Sequence, residues 1–212
     1  MRKKMKLDVC FIDFSTAYDT VSRQKMFSIL CRLGCGAVMF AALVSLYAVT
    51  HSIIGVAVVT TTIGLKQGSP TSVILFIIYI NDLIHLIKTT CAPDGFLAWL
   101  HLLVLMDDTV LLSTTRRGMS TKLHLLDQYC RSHKTKINSK KTKFFVINDE
   151  PADRQPFVFE AFRVAWCDNY VYLGSVFTSD GKPSSAIKER ALSRASQALK
   201  FVTFILVRCE NA

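Results

Sequence analysis

No two of the seven cysteines stand two residues apart, and their number is odd. Cys10, Cys31, Cys35, Cys91, Cys130, Cys167 and Cys209 follow no regular spacing. That excludes a disulfide framework or a thiolate zinc site as the device organising the fold. Several lie in apolar runs, where a free thiol packs as a small hydrophobe, and such usage points to a reducing, intracellular compartment. The five histidines are scattered and read as structural or surface residues. Acidic side chains are scarce: 16 against 26 basic ones, a formal charge of +10. An excess of that sign favours an anionic partner, a nucleic acid or an anionic membrane surface. A signal peptide is not indicated, because Asp8 and Asp13 interrupt the apolar run behind the basic start Met1–Lys6. No internal repeat or low-complexity tract occurs.

Charge is missing altogether from Leu33 to Leu65. The stretch is long enough to cross a bilayer, for which about 20 apolar residues suffice. Thr50-His51-Ser52 breaks it and Thr60-Thr61-Thr62 ends it in β-branched polar residues. Ala37–Val49 therefore reads as a buried helix and Ile53–Ile63 as a strand or hairpin.

The 212 residues hold one ordinary domain plus an appendage, and half of them are hydrophobic, enough for a sizeable core. Lys6–Phe14 reads as a buried strand with Asp13 at its C-terminal end. Met26, Ile29, Leu30 and Leu33 place a helix over Ser22–Leu33, stopped by Gly34. Ser69 and Pro70 mark the start of a helix reaching Ile87, apolar nearly all round and so predicted to be buried. Leu102–Met106 and Thr109–Leu112 form two strands around a turn at Asp107-Asp108. Met119, Leu123, Leu126 and Cys130 give another helix. Phe144–Ile147 and Val171–Phe177 are short strands, and Lys182–Arg208 is an amphipathic helix with Lys188, Arg190, Arg194 and Lys200 on its polar face. Asp149–Gln155 is the one linker. The order suits an α/β (α+β) sandwich of helices on an antiparallel sheet.

Asp13, Asp107 and Asp108 all sit at strand ends inside apolar sequence. An ionised carboxylate beside a core is costly unless paired, hydrogen-bonded or bound to metal, and two adjacent ones repel. A plain hairpin turn facing water meets that requirement. So does a divalent-metal site, since hard cations prefer carboxylate oxygens and paired ions support phosphoryl displacement. Spacing leaves both open.

The strings around these residues resemble the motifs of non-LTR (LINE-type) retrotransposon reverse transcriptases. Phe11-Ile12-Asp13-Phe14-Ser15-Thr16-Ala17-Tyr18-Asp19-Thr20-Val21 is similar to the first palm motif. Gly64-Leu65-Lys66-Gln67-Gly68-Ser69-Pro70-Thr71-Ser72 resembles the Gln-Gly turn that enters a long helix. Leu105-Met106-Asp107-Asp108-Thr109-Val110 resembles the Asp-Asp hairpin, Lys136–Lys143 the fourth motif, and Tyr172-Leu173-Gly174 the short hairpin after it. All five occur in family order.

The resemblance implies a polymerase palm with an antiparallel sheet flanked by helices, a partial fingers region and the start of a thumb helix. It divides the chain into a palm over 1–148, a linker and hairpin over 149–181, and a thumb helix from 182. Asp13, Asp107 and Asp108 would hold two Mg2+ (or Mn2+) ions. Tyr18 would lie under the sugar of the incoming dNTP, with backbone N–H groups of Ser15 and Thr16 near its triphosphate. Gln67 and Gly68 would line the nucleotide pocket, and Lys141 would assist pyrophosphate departure. Tyr172, Leu173, Gly174, Lys188 and Arg194 would contact the primer and an RNA template. The basic run Arg131–Lys143 would add sequence-independent phosphate contacts.

Two departures qualify this. Leu105-Met106 stands where the family has an aromatic residue, often followed by Ala. The chain also begins just before the first palm motif, which gives the expectation of a truncated element with weak or no activity. Two other readings follow from the same residues: a catalytically inactive nucleic-acid-binding remnant, and a small membrane protein built on Leu33–Leu65, although no stable membrane association is expected.

Overall fold

The computed structural model describes residues 5–54, 57–182, 184–185 and 187–192. In chain order, β1 (Leu7–Ile12) and β2 (Phe14–Ser15) precede helices α1 (Arg23–Arg32) and α2 (Ala37–Tyr47). A ribbon of β3 (Thr50–Ile54) and β4 (Ala57–Thr61) follows, then the long α3 (Pro70–Thr90). The hairpin of β5 (Leu102–Leu105) and β6 (Asp108–Ser113) leads into α4 (Arg116–His133). Short strands come next: β7 (Lys136–Ile137), β8 (Lys143–Ile147), β9 (Phe157–Val158), β10 (Arg163–Trp166), β11 (Asn169–Tyr172) and β12 (Ser175–Thr178).

The main sheet has the order β5-β6-β1-β8-β10-β9. Its pairs are antiparallel except β8 with β10. β1 is central because it is apolar on both faces. Side chains alternate along a strand, so Cys10 and Ile12 join the cluster beneath α3 and α4. Val9 and Phe11 join Val110, Leu112 and Phe145 on the opposite face. The β11–β12 hairpin covers that second face, with Tyr170 stacked on Phe11 at 4.2 Å between centroids. Each large apolar side chain removed from water in this way contributes about 1.5–3 kcal/mol.

The predicted starts and stops of α1 hold. Ser22 Oγ accepts from the Lys25 N–H, and Gly34 takes φ +76° just past the C-terminus. For α3, Pro70 does occupy the first turn, but the Ser69 side chain makes no capping bond. Two burial expectations fail. Only Leu43 and Tyr47 of α2 are buried, and Val38 is 87% exposed. On α3, Ile74 and Ile77 face outward while Leu75, Phe76, Tyr79, Ile80, Leu83 and Ile87 pack inward. A helix apolar on every side carries no pattern to say which face meets the core. Among the described residues α3 is the one helix long and apolar enough to span a bilayer. The charge-free Leu33–Leu65 stretch is a helix plus a ribbon.

The 149–181 segment is more than linker and hairpin. β10 extends the sheet across that boundary, pairing Ala165 with Lys143 and Trp166 with Phe144. The residues before it are pinned: Lys6 Nζ reaches Asp153 at 2.7 Å and Glu150 at 3.3 Å. Arg116 donates to the Asp153 and Gln155 carbonyls and lies over the Phe157 ring. Val171–Phe177, expected as one strand, is a hairpin turning at Leu173-Gly174, both at positive φ. Residues 187–192 are helical, as expected, and Arg194 lies outside the described residues.

Arg23 was given no role by sequence, yet it is 4% exposed and clamps three elements. Its guanidinium donates to the carbonyls of Gly64 (2.7 Å), Tyr47 (2.7 Å) and Thr61 (2.9 Å), and to Thr50 Oγ1 (3.0 Å). A planar five-donor fork matches such a set of acceptors, where lysine would not.

Asp8 is buried in β1, and its carboxyl is raised to about 6, chiefly by burial and then by the charge of Asp153. The folded chain thus binds this proton more tightly than the unfolded chain does. The associated stability is full below pH 4 and is lost as pH rises through about 6. Asp8→Asn should therefore be more stable than the parent at pH 7, by about 1–3 kcal/mol, with the gap closing near pH 4. Urea unfolding at the two pH values checks this, and an equal gap at both would refute it.

Candidate active site

Two registers bring the carboxylates together. Antiparallel pairing sets Ile12 opposite Thr109, so Asp13, one residue beyond β1, lies beside the start of β6. Leu105 pairs with Asp108, which leaves Met106-Asp107 as a two-residue loop. The proximity shows electrostatically: burial first, then the charges of Asp107 and Asp13, raise the Asp108 carboxyl above its ordinary value. Asp13 and Asp107 line a cleft of about 580 Å³. Asp108 does not: it shares the strand face of Val110 and Leu112, the face covered by the hairpin.

Ser15, Thr16, Tyr18, Gln67, Gly68 and Lys141, expected around a nucleotide, all line the same cleft. Tyr18 is stacked on Phe76 of α3, centroids 4.9 Å apart and planes at 21°, which fixes the ring as a floor. Burial and the nearby Asp107 raise its phenol. The turn that carries Gln67 docks on the segment after Tyr18: the Leu65 N–H donates to the Tyr18 carbonyl at 2.8 Å, and Gln67 Nε2 to Asp19 Oδ1 at 3.0 Å. A side chain at Gly64 would meet the Asp19 carbonyl at 2.8 Å, so this docking requires glycine. Lys141 Nζ is 3.7 Å from Asp13 Oδ1. The lysine is largely exposed, and such a pair contributes little to stability by itself.

Sequence reasoning missed several neighbours. Asn138 lines the cleft, Phe76 supports Tyr18, and Thr142 bonds to the backbone of Asp13. Phe76 is one apolar residue among many on α3, and a threonine beside lysines carries no signal of burial. Tyr172, Leu173 and Gly174 stand away from the cleft on the β11–β12 turn. Tyr172 instead lines a separate apolar cavity of about 400 Å³ between hairpin and sheet. Lys188 is exposed beyond the hairpin.

Among the described residues no three His, Cys, Asp or Glu side chains converge into a preformed metal cage. The donors nevertheless suit a small hard cation, which takes one or two carboxylates and completes its shell with water and substrate phosphate oxygens. Asp107 and Asp13 add to burial in raising the Asp108 carboxyl, and a cation held among the three would offset their mutual repulsion.

Residues 1–177 match the reverse transcriptase (RNA-dependent DNA polymerase) family. The chain belongs to that family. Among solved structures, this reverse transcriptase chain is similar to apo telomerase from Candida tropicalis truncated from its C-terminal domain. Identity is 13% and the TM-score 0.58, over 84% of this chain and 35% of the telomerase chain. The likeness is one of fold, and the reverse transcriptase described here spans about a third of that longer protein. No curated protein matches the sequence.

Before the paired aspartates this reverse transcriptase has Leu105-Met106, and Met106 sits at φ +56°. A left-handed backbone costs an ordinary L-residue roughly 1–2 kcal/mol, and asparagine adopts it more readily. Met106→Asn should therefore raise stability by about 0.5–1 kcal/mol, read as a higher urea midpoint with an unchanged slope. A lower midpoint would show that Met106 contributes through packing instead.

Proposed function

We infer that this domain carries out RNA-templated DNA synthesis, joining a deoxynucleotide to a primer 3′-hydroxyl, and that it derives from a non-LTR retrotransposon. The observation that carries this reading is the register of β1 with β6, by which Asp13 and Asp107 line one cleft together with Tyr18, Asp108 being next to them on the strand. The non-LTR assignment rests on the five ordered motif strings. Asp13 and Asp107, with Asp108 as the third carboxylate, are the residues that would hold two Mg2+ or Mn2+ ions. When bound, such ions lower the pKa of an attacking hydroxyl and neutralise charge on the leaving oxygens.

The rest of the work falls to the protein's own side chains. The Tyr18 ring, held by Phe76, would lie under the sugar and disfavour a 2′-hydroxyl by steric conflict. Gln67 and Gly68 also line the cleft. Lys141 offers a cation beside Asp13, where the triphosphate and then pyrophosphate would lie. Holding hydroxyl and α-phosphate in line supplies much of the acceleration in such reactions. Tyr172-Leu173-Gly174 and Lys188 are placed in the reading as primer and template contacts. The six basic residues between Arg131 and Lys143, with no acidic one among them, provide phosphate contacts that weaken steeply with salt.

The test is extension of oligo-dT on poly-rA with Mg2+. The parent should extend, and Asp107→Ala should lower the rate by at least 100-fold, a loss of about 2.7 kcal/mol or more in transition-state stabilisation, while still binding RNA. Equal extension by the two proteins would remove the assignment of the site. Salt-sensitive RNA binding without extension at any Mg2+ concentration would favour the inactive nucleic-acid-binding reading.

A further inference from the structure

The backbone of Asp13 falls in a gap between two pairings. β1 runs beside β8 only as far as Phe11 opposite Lys143, and the next pairing, β2 with β7, begins at Phe14 opposite Ile137. The five residues Asn138–Thr142 link those two partner strands and fill the gap. The Asp13 N–H donates to Thr142 Oγ1 at 3.1 Å, and the same hydroxyl lies 3.5 Å from the Asp13 carbonyl as donor. The Asn138 N–H donates to that carbonyl at 2.8 Å. The linking turn is itself closed: the N–H groups of Lys141 and Thr142 donate to the Asn138 carbonyl at 3.1 and 2.8 Å, and that of Lys140 to Asn138 Oδ1 at 3.2 Å. Thr142 is fully buried, so no water can replace its hydroxyl without rearrangement.

We propose that Thr142 is a positioning residue for the Asp13 carboxylate: its side-chain hydroxyl substitutes for a missing strand partner and fixes the backbone from which the carboxylate enters the cleft. The same turn presents Lys141 to Asp13, so one short segment sets both the anion and its neighbouring cation. A carboxylate on an unanchored peptide would sample positions outside the cleft. Displacements of an ångström at a reacting centre cost orders of magnitude in rate. The inference rests on the reading of Asp13 as a metal ligand, and it deepens that reading by naming what holds the ligand in place.

The experiment compares the parent with Thr142→Val, which keeps the shape and removes the hydroxyl, and Thr142→Ser, which restores the hydroxyl. Three readouts are taken: amide hydrogen exchange at Asp13, Mn2+ affinity without substrates, and the Mg2+ dependence of primer extension. In Thr142→Val the Asp13 amide should exchange at least tenfold faster. Mn2+ should bind several-fold more weakly, and half-maximal extension should require several-fold more Mg2+, with the KM for dTTP little changed. Thr142→Ser should return all three toward the parent. A purely structural role would lower the unfolding midpoint of Thr142→Val while leaving Mn2+ affinity and Mg2+ dependence alone, and that result overturns the proposal. So does an unchanged Asp13 amide. A parent chain that neither binds Mn2+ nor extends primers defeats the functional reading and takes this inference with it, whereas an active parent and an equally active Thr142→Val defeat only the inference.

Discussion

The antiparallel pairing of β1 with β6 is the constraint on which the remainder depends. Ile12 opposite Thr109 makes neighbours of two carboxylate-bearing segments that are remote in sequence. A slip of one residue would turn every side chain of β1 to the other face, setting Val9 and Phe11 against the helices and Cys10 against the hairpin. Such a slip is opposed by both cores at once, since β1 is buried on each face. The packing that stabilises the domain therefore also sets the relative height of Asp13 and the Met106-Asp107 loop. The sheet register alone brings the carboxylates together, and their mutual repulsion adds to the effect of burial on Asp108.

Cleft and scaffold are built from different kinds of residue. The floor is aromatic and rigid, with Tyr18 on Phe76. The walls are turns: the segment around Gln67 is docked on Asp19 and the Asn138–Thr142 turn is closed on its own carbonyl. Turns let backbone groups and short polar side chains approach one point from several directions, which helices and strands cannot do while preserving their own hydrogen bonds. Both turns are held by bonds to neighbouring segments, Gln67 to Asp19 and Thr142 and Asn138 to the backbone of Asp13.

Strongly patterned parts of the chain were legible before the structure. β1, α1, the β5–β6 hairpin and α4 follow from periodicity and caps, and the cleft residues Asp13, Ser15, Thr16, Tyr18, Gln67, Gly68, Asp107 and Lys141 follow from the ordered motifs. The failures have physical causes. α2 is apolar throughout, so its exposed face was invisible. β9 and β10 are two and four residues long, too short for a period to register, and the charged, proline-containing run before them disguised a segment tied down by Lys6 and Arg116. Asp108 was grouped with its neighbour, yet strand alternation puts it on the face of Val110 and Leu112 and it does not line the cleft. Arg23 and Thr142 act through backbone carbonyls and amides, whose positions no side-chain pattern encodes.

The buried guanidinium of Arg23 has a mechanical corollary. One planar group is bonded to the end of α2, to both strands of the β3–β4 ribbon and to Gly64, the first residue of the turn that holds Gln67 over Asp19. Because the fork is planar and every contact is short, the base of the ribbon and the start of that turn are held relative to one another. One buried side chain thus serves as a common anchor for the end of α2, the ribbon and the turn carrying Gln67, and its loss would leave acceptors of all three unpaired at once.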